Sequence, residues 1–117
     1  MPTYRVNTDG VRQARKLIDA GKVDVDTEWS EAAPSTAEEN EFIERHGYEA
    51  YGLWHLAIDP DANEQTKKRY AFPYGDFSRV HRHALVAAKQ RAAQNEHAEI
   101  EQAADQLLTY LDEKRAS

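Results

Sequence analysis

The last third of the chain constrains the fold most, because its apolar side chains recur at the spacing of two amphipathic helices. In the final segment they fall three and four positions apart, which is the period of one helix face. These positions are Ile100, Ala103, Ala104, Leu107, Leu108 and Leu111. A similar pattern runs from Val80 to Ala92 behind a capping Ser78, and Asn95 ends it. Since only a short break separates the two patterns, the sequence predicts a C-terminal antiparallel helix pair.

Capping signals indicate two earlier helices. The first spans 9–20 and stops before Gly21, since glycine readily adopts the left-handed conformation that ends many helices. The second spans 36–46. Ser35 and Glu38 match a capping box, in which each side chain accepts a hydrogen bond from the backbone N–H of the other residue.

Strand signals are weaker and occur in three places. Residues 22–34 are predicted to be extended and partly mobile, because apolar and acidic side chains alternate there without a clear partner strand. Residues 51–58 favour a helix by their spacing, and a strand stays open because Gly52 weakens a helix. Alternating rings and the turn residue Gly75 indicate a short β-hairpin around 68–80. The predicted fold class is mainly α (α+β), with four to five helices.

The composition is that of one folded domain. With 117 residues the chain can bury about two thirds of its unfolded surface, so we expect a single domain over 1–117, frayed at 1–7 and 113–117. The absence of cysteine excludes thiol catalysis and fits a reducing compartment. The chain has neither the apolar core of a signal peptide near its start nor an apolar run of about 18 residues, so we expect a cytoplasmic protein without membrane contact.

Charge alternates in sign along the chain, and the total hides this pattern. The net charge is −6. Counting Lys and Arg against Asp and Glu, residues 1–22 carry +3, residues 23–66 carry −11, residues 67–91 carry +6 and residues 92–117 carry −4. The acidic total argues against nonspecific binding of nucleic acid, because most of the molecule repels phosphate.

The acidic run at 59–64 resembles the start of a calcium-binding EF-hand loop. Its carboxylate and amide side chains fit the first ligand positions of such a loop. Glu64 stands where the turn needs glycine, and Tyr70 stands where the bidentate glutamate belongs. We therefore interpret this run as a solvated loop.

No catalytic motif is recognisable elsewhere. The serines lie in no nucleophile pattern, and the five glycines form no phosphate-binding loop. The sequence therefore predicts no catalytic, cofactor-binding or metal-ligating residue. A metal-dependent hydrolase is retained as the second alternative, and it requires His55, His81 or His83 to converge with Asp59 or Asp61.

The segment 67–91, called here the basic-aromatic segment, combines positive charge with four rings. Exposed aromatic side chains beside arginine are common anchors of protein interfaces, so a protein partner is predicted here. The predicted contact residues are Lys67, Lys68, Arg69, Tyr70, Phe72, Tyr74, Arg79 and Arg82. The alternative is single-stranded nucleic-acid binding, in which bases stack on the rings while the cations meet phosphates. Whether Tyr70, Phe72 and Tyr74 belong to the surface or the core stays open.

Several short motifs occur in an order that resembles a known module. They are WHLAID at 54–59, then Thr66, Lys67, Tyr70 and Pro73, and finally RAAQ at 91–94. In this order they resemble a small module of tailed-phage and prophage proteins that adjoins head-maturation (prohead) protease sequences. The resemblance spans 15–112. It implies an accessory or interaction module of bacterial phage origin, and it assigns no catalytic residue.

Overall fold

Helices make up most of the fold, and short strands join them into one core. The computed structural model of the chain describes residues 3–116. Its α-helices are α1 (Thr8–Asp19), α2 (Trp29–Ala32), α3 (Thr36–Gly52), α4 (Arg82–Gln94) and α5 (Ala98–Ala116). Its strands are β1 (Arg5–Val6), β2 (Val23–Asp24), β3 (His55–Ile58), β4 (Tyr70–Pro73) and β5 (Val80–His81). The predicted class, mainly α with a small β component, is confirmed.

The C-terminal helix pair is confirmed as antiparallel. Arg82 at the start of α4 donates two hydrogen bonds of 3.0 Å to the carboxylate of Asp112 near the end of α5. Closer to the connection, Lys89 lies 2.8 Å from Asp105. Asn95 is the C-cap of α4, as predicted. Small and branched apolar side chains from both helices fill the space between them.

The sheet is antiparallel and has the order β1-β3-β4. The central strand β3 pairs on one side with β1, where Arg5 faces Ile58, and on the other with β4, where His55 faces Pro73. Separately, β2 and β5 form a two-stranded parallel pair. Helices α1, α4 and α5 pack against the antiparallel sheet, and the hydrophobic core lies between them.

Helix α3 begins at the predicted capping box and bends at a glycine. Ser35 Oγ accepts from the Glu38 N–H at 3.2 Å, and Glu38 Oε1 accepts from the Ser35 N–H at 3.0 Å. Gly47 has φ +88°, which interrupts the helix where the 36–46 prediction ended it. A second helical stretch then runs to Gly52, and β3 follows. The region 51–58 is therefore a helix end followed by a strand.

The strand at 70–73 finds its main partner outside the predicted hairpin. It pairs with β3, whose apolar residues form the centre of the sheet. Within 68–80 the chain does reverse, and Gly75 forms a single antiparallel bridge with Val80. Ser78 is not the cap of α4, because its N–H bonds to Asp76 and the chain stays extended through β5.

The segment 22–34 is more structured than an extended chain. Only β2 is a strand in it. The Asp24 carboxylate then accepts hydrogen bonds from the N–H of Asp26 and from both the N–H and the hydroxyl of Thr27, which folds the chain into a turn. Helix α2 follows this turn, so the purely extended interpretation is wrong for its second half.

Both terminal regions contain regular structure among the described residues. Strand β1 lies within the predicted frayed stretch 1–7, and α5 runs through 113–116. Positions 1, 2 and 117 lie outside the described residues. Among the helices of residues 3–116, none combines the length and the apolar character that crossing a bilayer requires.

Candidate binding cleft

A cleft of about 320 Å³ opens between the sheet edge, α3 and the α4–α5 turn. Strand β4 contributes all of its residues to the lining. Two groups of rings form the walls, and charged side chains lie between them. We call this site the ring-lined cleft.

The first ring group joins the N-terminal strand region to the α4–α5 turn. The ring of Tyr4 lies edge-on to Phe72, with centroids 5.9 Å apart, and edge-on to His97 at 5.5 Å. Phe72 and His97 are 5.9 Å apart at an angle of 83°. Three mutually edge-on rings are a favourable arrangement, because the positive edge of one ring faces the negative face of another.

The second ring group joins the end of α3 to β3 and β4. Tyr51 lies 4.6 Å from His55 and 6.0 Å from Tyr70, and His55 and Tyr70 are also 6.0 Å apart. Tyr70 packs so closely over Gly52 that a Cβ there would lie 2.3 Å from its ring. The backbone of Gly52 and the rings of Tyr51 and His55 therefore hold the Tyr70 ring in place.

His55 is fixed in one orientation by the backbone. It is 4% exposed, and its Nδ1 lies 2.9 Å from the carbonyl oxygen of Tyr51. Because a carbonyl only accepts, Nδ1 carries the hydrogen and Nε2 keeps its lone pair. Burial lowers the pKa of His55 to about 4, against the opposite effect of hydrogen bonds with the Tyr51 and Gly52 carbonyls. The imidazole is thus neutral at physiological pH.

The charges at the cleft are unequally compensated. Glu39 accepts a hydrogen bond from the Tyr51 hydroxyl at 3.1 Å and lies 3.5 Å from the Lys67 ammonium group. Burial raises the pKa of the Tyr51 phenol, and the negative charge of Glu39 raises it further. Across residues 3–116, no carboxylate pairs with the guanidinium of Arg91, which also lines the cleft. The cleft therefore presents one uncompensated positive charge.

Backbone strain occurs in two of the three chain segments that carry the first ring group. Phe72 has φ +61°, and Glu96, next to His97, also has φ +61°. Residues other than glycine avoid positive φ angles, and residues held at such angles tend to occur at binding and active sites. Phe77 has φ +69° as well and lies outside the cleft, so the strain extends from the cleft wall into the turn that follows β4.

Replacing Glu96 by glycine should stabilise the domain. Glu96 occupies the left-handed position after α4, where its N–H bonds to the Ala93 carbonyl and the next N–H bonds to that of Ala92. A glycine would adopt this conformation without steric cost, so we expect the free energy of unfolding of Glu96→Gly to rise by about 0.5–1 kcal/mol. Urea denaturation measures this. The control Gln90→Gly, at an exposed position inside α4, should instead lower it by about 1 kcal/mol; equal losses in both variants would contradict the strain at position 96.

We compared the chain with known protein families, curated proteins and solved structures. No family model, curated protein or solved structure matches the chain. The chemistry of the ring-lined cleft is therefore the basis for assigning a function.

Three of the five basic residues predicted to contact a partner bind groups of the same chain. Lys67 pairs with Glu39, and Arg82 pairs with Asp112. The guanidinium of Arg69 donates to three loop carbonyls, the shortest at 2.8 Å to Ala62. Lys68 and Arg79 lie outside the cleft. Most of these cations stabilise the fold.

Of the three rings whose exposure the sequence left open, Phe72 and Tyr74 are core residues. Tyr74 is 0% exposed, and its hydroxyl donates to the Leu53 carbonyl at 2.7 Å. Phe72 is 6% exposed and reaches only the wall of the cleft. Tyr70 is half-buried beside His55. A partner or a run of bases therefore cannot stack across all three rings.

The histidines and acids of the hydrolase alternative do not come together. His81 is buried and bonds Asp76 through Nε2 at 2.8 Å, while His83 lies 3.8 Å from Glu28. Burial tends to raise the Asp76 pKa, but the hydrogen bonds from His81 and from two backbone N–H groups outweigh it and lower the pKa. Within residues 3–116, no group of three or more His, Asp or Glu side chains is arranged to hold a metal ion.

Sequence reasoning missed most of the cleft. It named Tyr70 and Phe72, which line the cleft, and Lys67, which pairs with the lining residue Glu39. It also named His55, for the hydrolase alternative, but not the other ring-bearing or polar residues of the wall. Those are Tyr4, Glu39, Tyr51, Arg91, Asn95 and His97. They come from separate segments, so no local spacing could have grouped them.

Proposed function

We propose that the protein is a non-enzymatic interaction module that binds a segment of a protein partner in the ring-lined cleft. The observation that carries this proposal is the cleft itself, which combines two ring groups, one uncompensated arginine and a strained backbone. Aromatic side chains line many binding sites, and aromatic and arginine side chains dominate binding energy at interfaces.

The resemblance to the tailed-phage module supports a more specific context. We propose that the partner belongs to capsid assembly or to a domesticated prophage, in the cytoplasm of a bacterium. The absence of cysteine is compatible with that compartment. Genes for capsid, portal and protease proteins beside the gene for this chain would support the proposal, and an ordinary metabolic operon would argue against it.

A substitution that fills the cleft tests the proposed function. Asn95 is an exposed cap residue at the cleft, so Asn95→Tyr adds a ring there with little change to the core. We expect the purified products of the neighbouring genes to include one that binds the wild type, measured by biolayer interferometry, and to bind Asn95→Tyr at least about tenfold more weakly, a change of about 1.4 kcal/mol.

The matched control places the same ring elsewhere. Thr109→Tyr lies on the exposed face of α5, outside the cleft, and should bind as the wild type does. Equal binding by Asn95→Tyr would place the interface elsewhere, and binding to none of the neighbouring products would contradict the function. Affinity that falls steeply with added salt for a nucleic acid, rather than a protein, would favour the single-stranded nucleic-acid alternative.

A further inference from the structure

We infer that the occupant of the ring-lined cleft is a peptide segment that presents an aromatic side chain next to a carboxylate. This inference rests on the proposed binding function and specifies its partner. Three properties of the cleft lead to it: its size, the arrangement of its rings and its charge balance.

The size of the cleft fits one side chain with its adjoining backbone. Small-molecule sites usually enclose about 300–1,000 Å³, and about 320 Å³ lies at the lower end of this range. A long helix or an extended strand would need a groove along the surface. A single anchoring residue is the simplest occupant of this volume.

The rings favour an aromatic anchor over an aliphatic one. In the first group the rings meet at 76° to 89°, and the partly buried rings of Tyr4 and His97 are exposed in part at the wall. An additional ring can continue this edge-to-face pattern, which adds to the free energy of simple apolar burial. The second group, around His55, presents a neutral imidazole and the Tyr70 ring from the opposite wall.

The charge balance calls for one negative charge. Glu39 is already matched by Lys67 and by the Tyr51 hydroxyl, so it repels an incoming anion less than a bare carboxylate would. No carboxylate of the described residues pairs with Arg91, and a guanidinium can donate two parallel hydrogen bonds to a carboxylate.

A nucleotide combines an aromatic ring with an anion too, but the cleft fits it less well. The site lies at the turn between α4 and α5, where Arg91 is the cation that no carboxylate of the described residues compensates. One guanidinium matches the single charge of a carboxylate. A phosphate group carries nearly two negative charges, so the same guanidinium compensates it only in part.

Small probes separate these requirements in an NMR titration of the whole ¹⁵N-labelled chain. The probes are N-acetylphenylalanine, its amide, N-acetylleucine and adenosine monophosphate. We expect N-acetylphenylalanine to shift the resonances of Asn95 and His97 and to bind about fivefold more tightly than the amide, the factor that a partly exposed ion pair supplies. It should also bind more tightly than N-acetylleucine.

Two variants locate the carboxylate. Arg91→Gln should reduce the preference for the acid over the amide to less than about twofold, a difference of about 0.4 kcal/mol. Arg79→Gln removes another exposed arginine, one outside the cleft, and should leave the fivefold preference unchanged. An unchanged thermal midpoint in both variants shows that the fold is retained.

The other outcomes overturn the inference, and they separate it from the proposed function. If the acid and the amide bind the wild type equally, the occupant needs no carboxylate and the inference is wrong. If adenosine monophosphate binds more tightly than N-acetylphenylalanine, the occupant is a nucleotide and not a peptide. If no probe shifts the cleft resonances but Asn95→Tyr still weakens a protein partner, the function stands and this inference fails. If Asn95→Tyr also has no effect on any partner, both fail.

Discussion

Replacing Leu107 by Ala is expected to remove about 2–5 kcal/mol from the free energy of unfolding. Leu107 is 1% exposed in α5 and belongs to the hydrophobic core. Its truncation loses the burial of three methyl or methine groups and leaves a cavity that close-packed neighbours fill only in part. Domains of this size have a total stability of about 5–15 kcal/mol, so the loss should be plain in a urea unfolding curve.

The neighbouring position provides the control for this prediction. Gln106 is exposed on the same helix, so Gln106→Ala should change the free energy of unfolding by less than about 0.5 kcal/mol. A loss below about 1 kcal/mol for Leu107→Ala would mean that this face of α5 is not packed in the core as the structure places it.

Acidification should destabilise the protein through His55. Its folded pKa of about 4 lies below the ordinary value of 6.5, so the unfolded chain binds the proton more readily than the folded chain does. The stabilisation is therefore complete above about pH 6.5 and is lost as the pH falls towards 4, by about 3 kcal/mol in all. Unfolding by urea at several pH values between 7 and 4 measures this slope.

The variant His55→Asn should flatten this pH dependence. Asparagine keeps an N–H donor close to the Tyr51 carbonyl and has no proton to gain. Asp24 has its pKa lowered to about 2 by hydrogen bonds from the backbone and the hydroxyl of Thr27, so its contribution falls below the window used here. The control His83→Asn, at a partly exposed position, should retain the wild-type slope. An unchanged slope in His55→Asn would show that another group carries the effect.

The parts of the fold that the sequence predicted are those with local causes. The α4–α5 pair follows from apolar spacing and from the stop at Asn95, and the start of α3 follows from Ser35 and Glu38. These signals lie within one or two helical turns, so tertiary contacts did not need to be known. Gly47 likewise ended a helix where its φ of +88° interrupts it.

The strand pairing depends on distant contacts and could not be predicted in the same way. The 11 residues 59–69 separate β4 from its partner β3 in the sequence. The turn at Gly75 suggested a partner nearer in the chain. The pair of β2 and β5 is only two residues long on each side, so the alternation at 22–34 could not reveal its partner strand. The burial of Phe72 and Tyr74 follows from this pairing, so their exposure could not be judged from charge and ring content alone.

The candidate site was the least predictable part. Its charged residues Glu39 and Arg91 belong to sequence blocks of opposite sign, and only the fold shows that one is compensated and the other is not. The basic-aromatic segment did contain part of the site, at residues 70–73 and at Arg91. Its net charge suggested a contact surface, but most of its cations bind acidic side chains or carbonyls of the same chain.

The walls of the ring-lined cleft come from stretches as far apart in the chain as Tyr4 and His97. No part of the chain can form the cleft alone, so a ligand bound there binds only the folded protein. Mass action then raises the stability of the entire domain, by about 2.7 kcal/mol when the free ligand is at one hundred times its dissociation constant. A melting-temperature screen can therefore find the natural occupant among many compounds or peptides, without an assay for any activity.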